Sequence, residues 1–343
     1  MPPKCMLTRR QLGVATAVAT VAGCDSARPS QPAGRRTERV TYLTGFGVSG
    51  RESHAWVAQA KGFFAEAGLE VAIEPGAAGD SNHQVLAAGK AQFAGVDASG
   101  AFIRYGRGAD TSFQIVAAVQ QATLLSIVTL EGNRINSPRD LEGRRIGVGT
   151  GAAPKTLFPA YAKLAGVDAA KVTWIESTPQ QLTSLLVAGQ VDALGLFVVG
   201  TPSVEKAARR KTVVLPYSTY INDLYGTVLV TPKALVERDP DLVRRFTGAL
   251  LRGLQYALEN PEEAGQILHK AAPAQDPAIA AQEMTLMRPY ALPARGATVG
   301  ALDPPRVARC IAVLQSLALM PTGLTGEQLV RFDLLGAAPK VTA

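Results

Sequence analysis

The feature that most constrains this chain is a pattern that it uses twice. Val85-Leu86-Ala87-Ala88-Gly89-Lys90-Ala91-Gln92-Phe93-Ala94-Gly95-Val96 aligns without gaps, at an offset of 100, with Leu185-Leu186-Val187-Ala188-Gly189-Gln190-Val191-Asp192-Ala193-Leu194-Gly195-Leu196, and four of the twelve positions are identical. Each copy reads as a helix, a glycine stop, a short turn and a buried strand. Gly89 and Gly189 suit the left-handed position that closes a helix and that only glycine adopts cheaply. Upstream, Glu66-Ala67-Gly68-Leu69-Glu70-Val71 is echoed by Leu164-Ala165-Gly166-Val167-Asp168, again a helix end running toward a strand. Unrelated αβ units can look alike by chance, but two echoes at nearly the same offset argue for two similar lobes.

Around the repeats, β-branched runs alternate with helical patterns, the signature of α/β layers. Strands are expected at Val40–Leu43, Leu69–Ile73, Phe93–Val96, Ile115–Val119, Ser126–Leu130, Arg145–Val148, Val172–Ile175, Ala193–Phe197, Thr212–Leu215 and Thr227–Val230. Trp56, Val57, Ala60, Phe63 and Phe64 form one apolar helical stripe, and Leu182, Leu185, Leu186 and Ala188 another. After Thr231 the alternation stops. Val243, Phe246, Leu250, Leu254, Ala257 and Leu258 mark one helix, and Asn260-Pro261-Glu262-Glu263 restarts another with an Asn cap, Pro at the first helical position and acids in the first turn. Further helices are expected around Ala278–Met287 and Pro305–Ala318. With no second sheet to cover, these helices should pack on the first lobe. The chain would then cross between lobes near Leu130–Asn133 and near Tyr225–Thr231. Residues 40–130 with 227–343 form the first lobe and its C-terminal helices, and residues 131–226 the second. Two domains also suit 343 residues, given roughly 100 to 200 residues per domain.

The first 39 residues read as addressing. Lys4, Arg9 and Arg10 precede an apolar stretch, Leu12 to Gly23, too short for a bilayer core that needs about 20 residues. Residues 1–23 are therefore expected to be a cleaved signal. Val21-Ala22-Gly23-Cys24 resembles a bacterial lipobox in which Cys24 carries the lipid; the alternative is a small buried cysteine behind a core helix. Thr8-Arg9-Arg10-Gln11-Leu12 resembles a twin-arginine export motif, with Leu12 where phenylalanine is usual. Residues 24–39, rich in Ser, Pro, Gln, Gly and Arg, read as a flexible tether whose arginines either add attraction to anionic lipid or make no contacts. Signal and tether together hold five of the seven units of net positive charge, leaving +2 from Val40 onward. No basic stripe with interleaved aromatics remains, which argues against a nucleic-acid partner.

Five segments carry a family resemblance. They are Trp56-Val57-Ala58-Gln59-Ala60-Lys61-Gly62-Phe63-Phe64-Ala65-Glu66-Ala67-Gly68-Leu69-Glu70-Val71, the Leu86–Ala94 repeat, Asp140-Leu141-Glu142-Gly143-Arg144-Arg145-Ile146-Gly147-Val148, the Leu186–Ala193 repeat, and Asp241-Leu242-Val243 leading into the Phe246 helix. In order and spacing they resemble the substrate-binding proteins of ABC importers, in the SsuA-like group that includes binders of nitrate, sulfonates, taurine and thiamine pyrimidine precursors. The resemblance runs from about Val40 to Tyr290. It implies an α/β, two-lobed type II periplasmic binding protein fold, each lobe a mixed sheet flanked by helices, with two hinge crossovers. It further implies a monomeric, extracytoplasmic lipoprotein, anchored to the cell membrane through Cys24, that needs no cofactor and passes a small-molecule ligand to an ABC permease. The likeness extends to fungal pyrimidine synthases of the same fold, which consume a histidine and pyridoxal phosphate and carry a run of cysteines with iron. After residue 23 this chain has only Cys24 and Cys310, with no Gly-x-Ser-x-Gly or His-Glu-x-x-His. A binder is therefore expected rather than an enzyme, with a synthase-like activity or a sensor lipoprotein as alternatives.

In open α/β sheets the ligand lies beyond the carboxyl ends of the strands, near helix N-termini. That rule selects Phe46 and Ser49 in the loop Gly45–Gly50, Gly79 and Asp80 in Gly76–Asn82, and Asp97 and Ser99 from the first lobe. From the second it selects Thr150 and Gly151 in Gly149–Ala152, and Phe197; near the return crossover lie Tyr220, Asp223 and Tyr225. Gly149-Thr150-Gly151 lacks the Gly-Lys-Ser/Thr of a phosphate loop, so it is either a turn that lets amides approach a ligand or a turn alone. Lys155 is a ligand-facing charge or a solvated helix residue. Asp97 either accepts a proton from a ligand amine or amidine or caps the helix that follows. Phe46, Phe197, Tyr220 and Tyr225 would sandwich a flat ring or belong to the core, and His54 reads as structural. A sulfonate or nitrate site calls for amide, hydroxyl and Arg donors, and a pyrimidine site for aromatic faces and a carboxylate. Three aspartates and four aromatics tilt the balance toward a flat heteroaromatic or cationic ligand such as a thiamine pyrimidine precursor.

Overall fold

A computed structural model describes residues 37–77, 80–150 and 152–341. Each expected strand forms: β1 (Glu38–Leu43), β2 (Leu69–Glu74), β3 (Phe93–Asp97), β4 (Phe113–Ala118), β5 (Leu125–Leu130), β6 (Arg145–Gly149), β7 (Thr173–Ser177), β8 (Ala193–Phe197), β9 (Thr212–Pro216) and β10 (Thr227–Pro232). They build two five-stranded mixed sheets in the orders β2-β1-β3-β10-β4 and β7-β6-β8-β5-β9. In each, four strands run parallel and one antiparallel strand, which the chain brings across from the other lobe, is inserted between the third and the fourth. The two orders become the same when β5 and β10 are exchanged, which is the two-lobed α/β architecture that the repeat implies.

The repeat is real in three dimensions. Helix Asp80–Ala87 precedes β3 as helix Pro179–Val187 precedes β8. Gly89 and Gly189 take φ of 69° and 68°. The lobes even share a hydrogen-bond motif built from different residues. The Gln92 side chain accepts from the Thr41 amide, and its carbonyl accepts from the Thr231 hydroxyl. One hundred residues on, the Asp192 carboxylate accepts from the Arg145 amide and its carbonyl from the Thr129 hydroxyl.

Two boundaries differ from the sequence reading. The tether was expected to reach Arg39, but Glu38 and Arg39 already pair with Leu69 and Glu70 in β1. Their ion pairs with Arg245 and Glu70 give these two charged residues partners at the start of β1, beside the edge strand β2. The first crossing was expected near Leu130–Asn133, yet β5 lies in the second sheet, so the chain crosses between Ala118 and Leu125. Both β4 and β5 are wholly buried runs. Only the polar interruption Gln120-Gln121-Ala122-Thr123 marks the passage between them.

The C-terminal helices Pro240–Glu259, Pro261–Ala271, Pro277–Ala291 and Pro304–Ser316 form as expected. The first carries the whole predicted stripe on its buried face. Its Phe246 ring stacks on Phe93 at 3.8 Å and on Phe64 at 5.5 Å, tying the helix to β3. Gly253 permits a close crossing with helix Ser53–Ala60, since a Cβ there would lie 2.4 Å from the His54 carbonyl. Asn260 starts the next helix but spends its side-chain amide on Tyr256 O, closing the helix before it. Helix Pro277–Ala291 packs on the first lobe but also touches the turn Val198–Gly200 of the second.

Candidate functional site

The carboxyl ends of β1, β3, β6, β7 and β8 open into a cavity of about 570 Å³ bounded by both lobes and the crossover residue Gln120. Phe46, Asp97 and Ser99 line it from the first lobe, and Thr150 and Phe197 from the second, as the strand-end rule anticipates. Asp97 caps the helix that follows: its Oδ1 accepts from the Gly100 amide at 2.9 Å at the start of helix Ala98–Gly106, and the residue also lines the cavity. Burial pushes its pKa up to about 6, against the opposing pull of the Gly100 and Ser99 amides and the charge of Arg51.

Other expected site residues are placed elsewhere. The Ser49 side chain does not line the cavity; its hydroxyl is buried without a hydrogen-bond partner among the described residues. Tyr220 lies partly exposed with its ring edge-on to Tyr161 at 5.4 Å. Asp223 and Tyr225 are committed to helix Pro304–Ser316. Arg309 pairs with the Asp223 carboxylate at 3.0 Å, Cys310 Sγ donates to the Asp223 carbonyl, and the Tyr225 hydroxyl accepts from the Asp303 amide. Burial pushes the Cys310 thiol up to about 11, against the opposing pull of a Tyr225 backbone hydrogen bond and the Arg306 charge, so it stays protonated. Asp80 opens helix Asp80–Ala87. Gly79, Gly151, Cys24, the signal segment and the tether through residue 36 lie outside the described residues. Lys155 is paired with Glu176 at 2.5 Å, and His54 is 1% exposed with Nδ1 against the Arg51 carbonyl, its pKa lowered by burial.

The expected aromatic sandwich does not form. The Phe46 and Phe197 centroids are 6.1 Å apart with the rings tilted by 60°, leaving no parallel slot between them. The guanidinium of Arg51 instead fills the corner the two rings make, 4.7 Å from Phe46 and 4.4 Å from Phe197. Sequence reasoning missed Arg51, because an arginine in a glycine-rich loop reads as solvated. The signal that could have found it is that Gly45–Glu52 holds a single cation, directly beside Glu52. His83, Thr156, Ser177 and Thr178 were also missed as lining residues, whereas Asn82 ends the loop that the sequence selected. Asn82 is structural, bonding the carbonyls of Thr44 and Gly95 and so fixing the ends of β1 and β3. Among the described residues no group of three or more His, Cys, Asp or Glu side chains is placed to hold a metal ion.

A cleft with these contributors, between two sheets of exchanged order, can be compared with known proteins. A family model described as NMT1/THI5 like matches residues 53–264, more than half of the chain. The chain belongs to the NMT1/THI5-like family. Similar proteins include the riboflavin-binding protein RibY of Chloroflexus aurantiacus, 25% identical over 71% of this chain and 70% of its own length. The formylaminopyrimidine-binding protein of Halalkalibacterium halodurans is 26% identical over 62% of this chain and 64% of its own. A 4-amino-5-hydroxymethyl-2-methylpyrimidine phosphate synthase of Legionella pneumophila is 26% identical over 68% and 74%. The crystal structure of the periplasmic aliphatic sulphonate binding protein SsuA from Escherichia coli aligns with a TM-score of 0.69 at 14% identity, covering 86% of this chain and 92% of that one, which shows a shared fold. The NMT1/THI5-like match begins just after Arg51 and Glu52 and ends before the helices that carry Glu283 and Arg306.

Proposed function

We propose that this NMT1/THI5-like protein is an extracytoplasmic solute-binding protein, held at the membrane through a lipid on Cys24, that captures a small planar heteroaromatic ligand between its lobes and delivers it to an ABC permease. The observation that carries the reading is Asp97: a carboxyl poised near neutrality on the wall of a cavity that the second lobe's Phe197 and Thr150 also line. A carboxylate there accepts from an amino or amidine edge and repels a simple anion, which favours a pyrimidine-like ligand over a sulfonate or nitrate. Relatives named for binding riboflavin and formylaminopyrimidine support a flat, donor-bearing ligand. Native mass spectrometry of protein purified from its own host would identify a retained solute directly; a retained sulfonate would overturn the pyrimidine reading. Calorimetry gives a second check. Ionisation of Asp97 around pH 6 should strengthen binding of a donor-bearing ligand by about tenfold between pH 5 and 7, whereas an anionic ligand should weaken.

The relative named as a pyrimidine phosphate synthase favours a second reading, an enzyme on the same fold. Incubating purified protein with histidine or pyridoxal phosphate separates the two, because turnover of either compound belongs to a synthase and not to a binder.

A further inference from the structure

We infer that Arg51 determines specificity in this cavity by donating from its guanidinium to an acceptor on the ligand, so that the solute carries an acceptor edge for Arg51 and a donor edge for Asp97. The inference rests on the binding reading and narrows its ligand class. Arg51 is 6% exposed and lines the cavity. Its position is fixed from three directions. Phe46 of the first lobe and Phe197 of the second hold the guanidinium by cation–π contact, and Glu283, reaching in from helix Pro277–Ala291, accepts from the Arg51 amide at 3.2 Å.

The donors of this guanidinium are left unspent. Nε lies 3.4 Å from Glu52 Oε1, an ion pair without a hydrogen bond, and no acceptor among the described residues takes a hydrogen bond from the group. A guanidinium offers five N–H donors in a rigid fork; Nε is buried, and no side chain among the described residues takes the Nη donors, which leaves them for an acceptor on a ligand. Glu52, 2% exposed and accepting from the Gly45 amide, balances the Arg51 charge, so the acceptor can be a neutral carbonyl rather than an anion. Asp97 on the same cavity sets the complementary demand for a donor. A ring that alternates donor and acceptor groups along its edge satisfies both residues at once.

Calorimetry with two uncharged probes tests this. 2-Thiocytosine and cytosine share the amino donor and both ring nitrogens and differ only at position 2, where sulfur, a weak hydrogen-bond acceptor, replaces the carbonyl oxygen. The wild-type protein should bind cytosine on the order of tenfold more tightly, the scale of one hydrogen bond to a charged group. That ratio should fall to about one in Arg51→Lys, which lacks the planar fork, and in the charge-balanced double variant Arg51→Met with Glu52→Gln. General damage to the fold weakens both probes alike and leaves the ratio standing, so the ratio reads the contact itself. A ratio near one in the wild type, or one retained in both variants, overturns the Arg51 assignment while leaving the binding reading intact. A wild-type protein that binds neither probe overturns the aminopyrimidine reading and this inference together.

Discussion

At the level of single side chains, Asp97 both caps helix Ala98–Gly106 and faces the cavity, and these roles respond differently to pH. Its folded pKa of about 6 lies above the ordinary aspartate value of about 3.9. Between about pH 4 and 6 the folded chain therefore holds a proton that the unfolded chain has released, and stability falls as pH rises through that window. Asp97→Asn keeps an acceptor for the Gly100 amide and cannot ionise. Urea unfolding at pH 4.5 and pH 7 should show a smaller fall for this variant than for the wild type, with stability at pH 7 equal or higher. Its affinity for a donor-bearing ligand should drop about tenfold or more. A variant less stable than the wild type at pH 7 would show that the cap, rather than the buried charge, dominates.

Among the secondary-structure elements, the repeat makes a quantitative demand. Gly89 and Gly189 close equivalent helices with positive φ, and a Cβ at either would meet nothing within 4 Å. Replacing either with alanine thus adds backbone strain alone, about 1–2 kcal/mol, and urea unfolding should find the two losses equal within about 0.5 kcal/mol. A large inequality would mean that the lobes do not share this element. The strands were legible because β-branched runs such as Val40–Leu43 and Ser126–Leu130 are buried, and Phe46, Asp97, Ser99, Thr150 and Phe197 were legible because strand carboxyl ends converge. What escaped depends on distant chain. Nothing near Asp223 or Tyr225 announces that Asp303, Arg309 and Cys310 will occupy them. Arg51 escaped for a related reason: its burial is created by Phe197 and by Glu283, which approach only after the lobes and the C-terminal helices assemble.

For the molecule as a whole, the two crossovers are laced together where the lobes meet. The Gly226 amide bonds the Gln120 carbonyl, the Thr123 amide bonds the Leu224 carbonyl, and the Gln120 side chain accepts from the Thr227 amide. Arg306, on helix Pro304–Ser316, spans both passages. Its guanidinium stacks 4.1 Å over Tyr225 and donates to the carbonyls of Gln121 on the first crossover and of Asn222 and Asp223 on the second. If capture proceeds by lobe closure, the crossovers are the segments that bend, and a ligand acts only through its preference for the closed form. An arginine that cross-links both passages restricts that bending and favours one arrangement. Arg306→Met removes these charge-assisted bonds and keeps an apolar chain against Tyr225. The variant should therefore sample open arrangements more often without ligand, giving a larger radius of gyration by solution scattering, whereas ligand-saturated variant and wild type should coincide. Because the apparent Kd is the intrinsic Kd divided by the population that is competent to bind, affinity should weaken by roughly tenfold or more. Identical ligand-free scattering with unchanged affinity would mean that Arg306 secures its helix without governing the hinge.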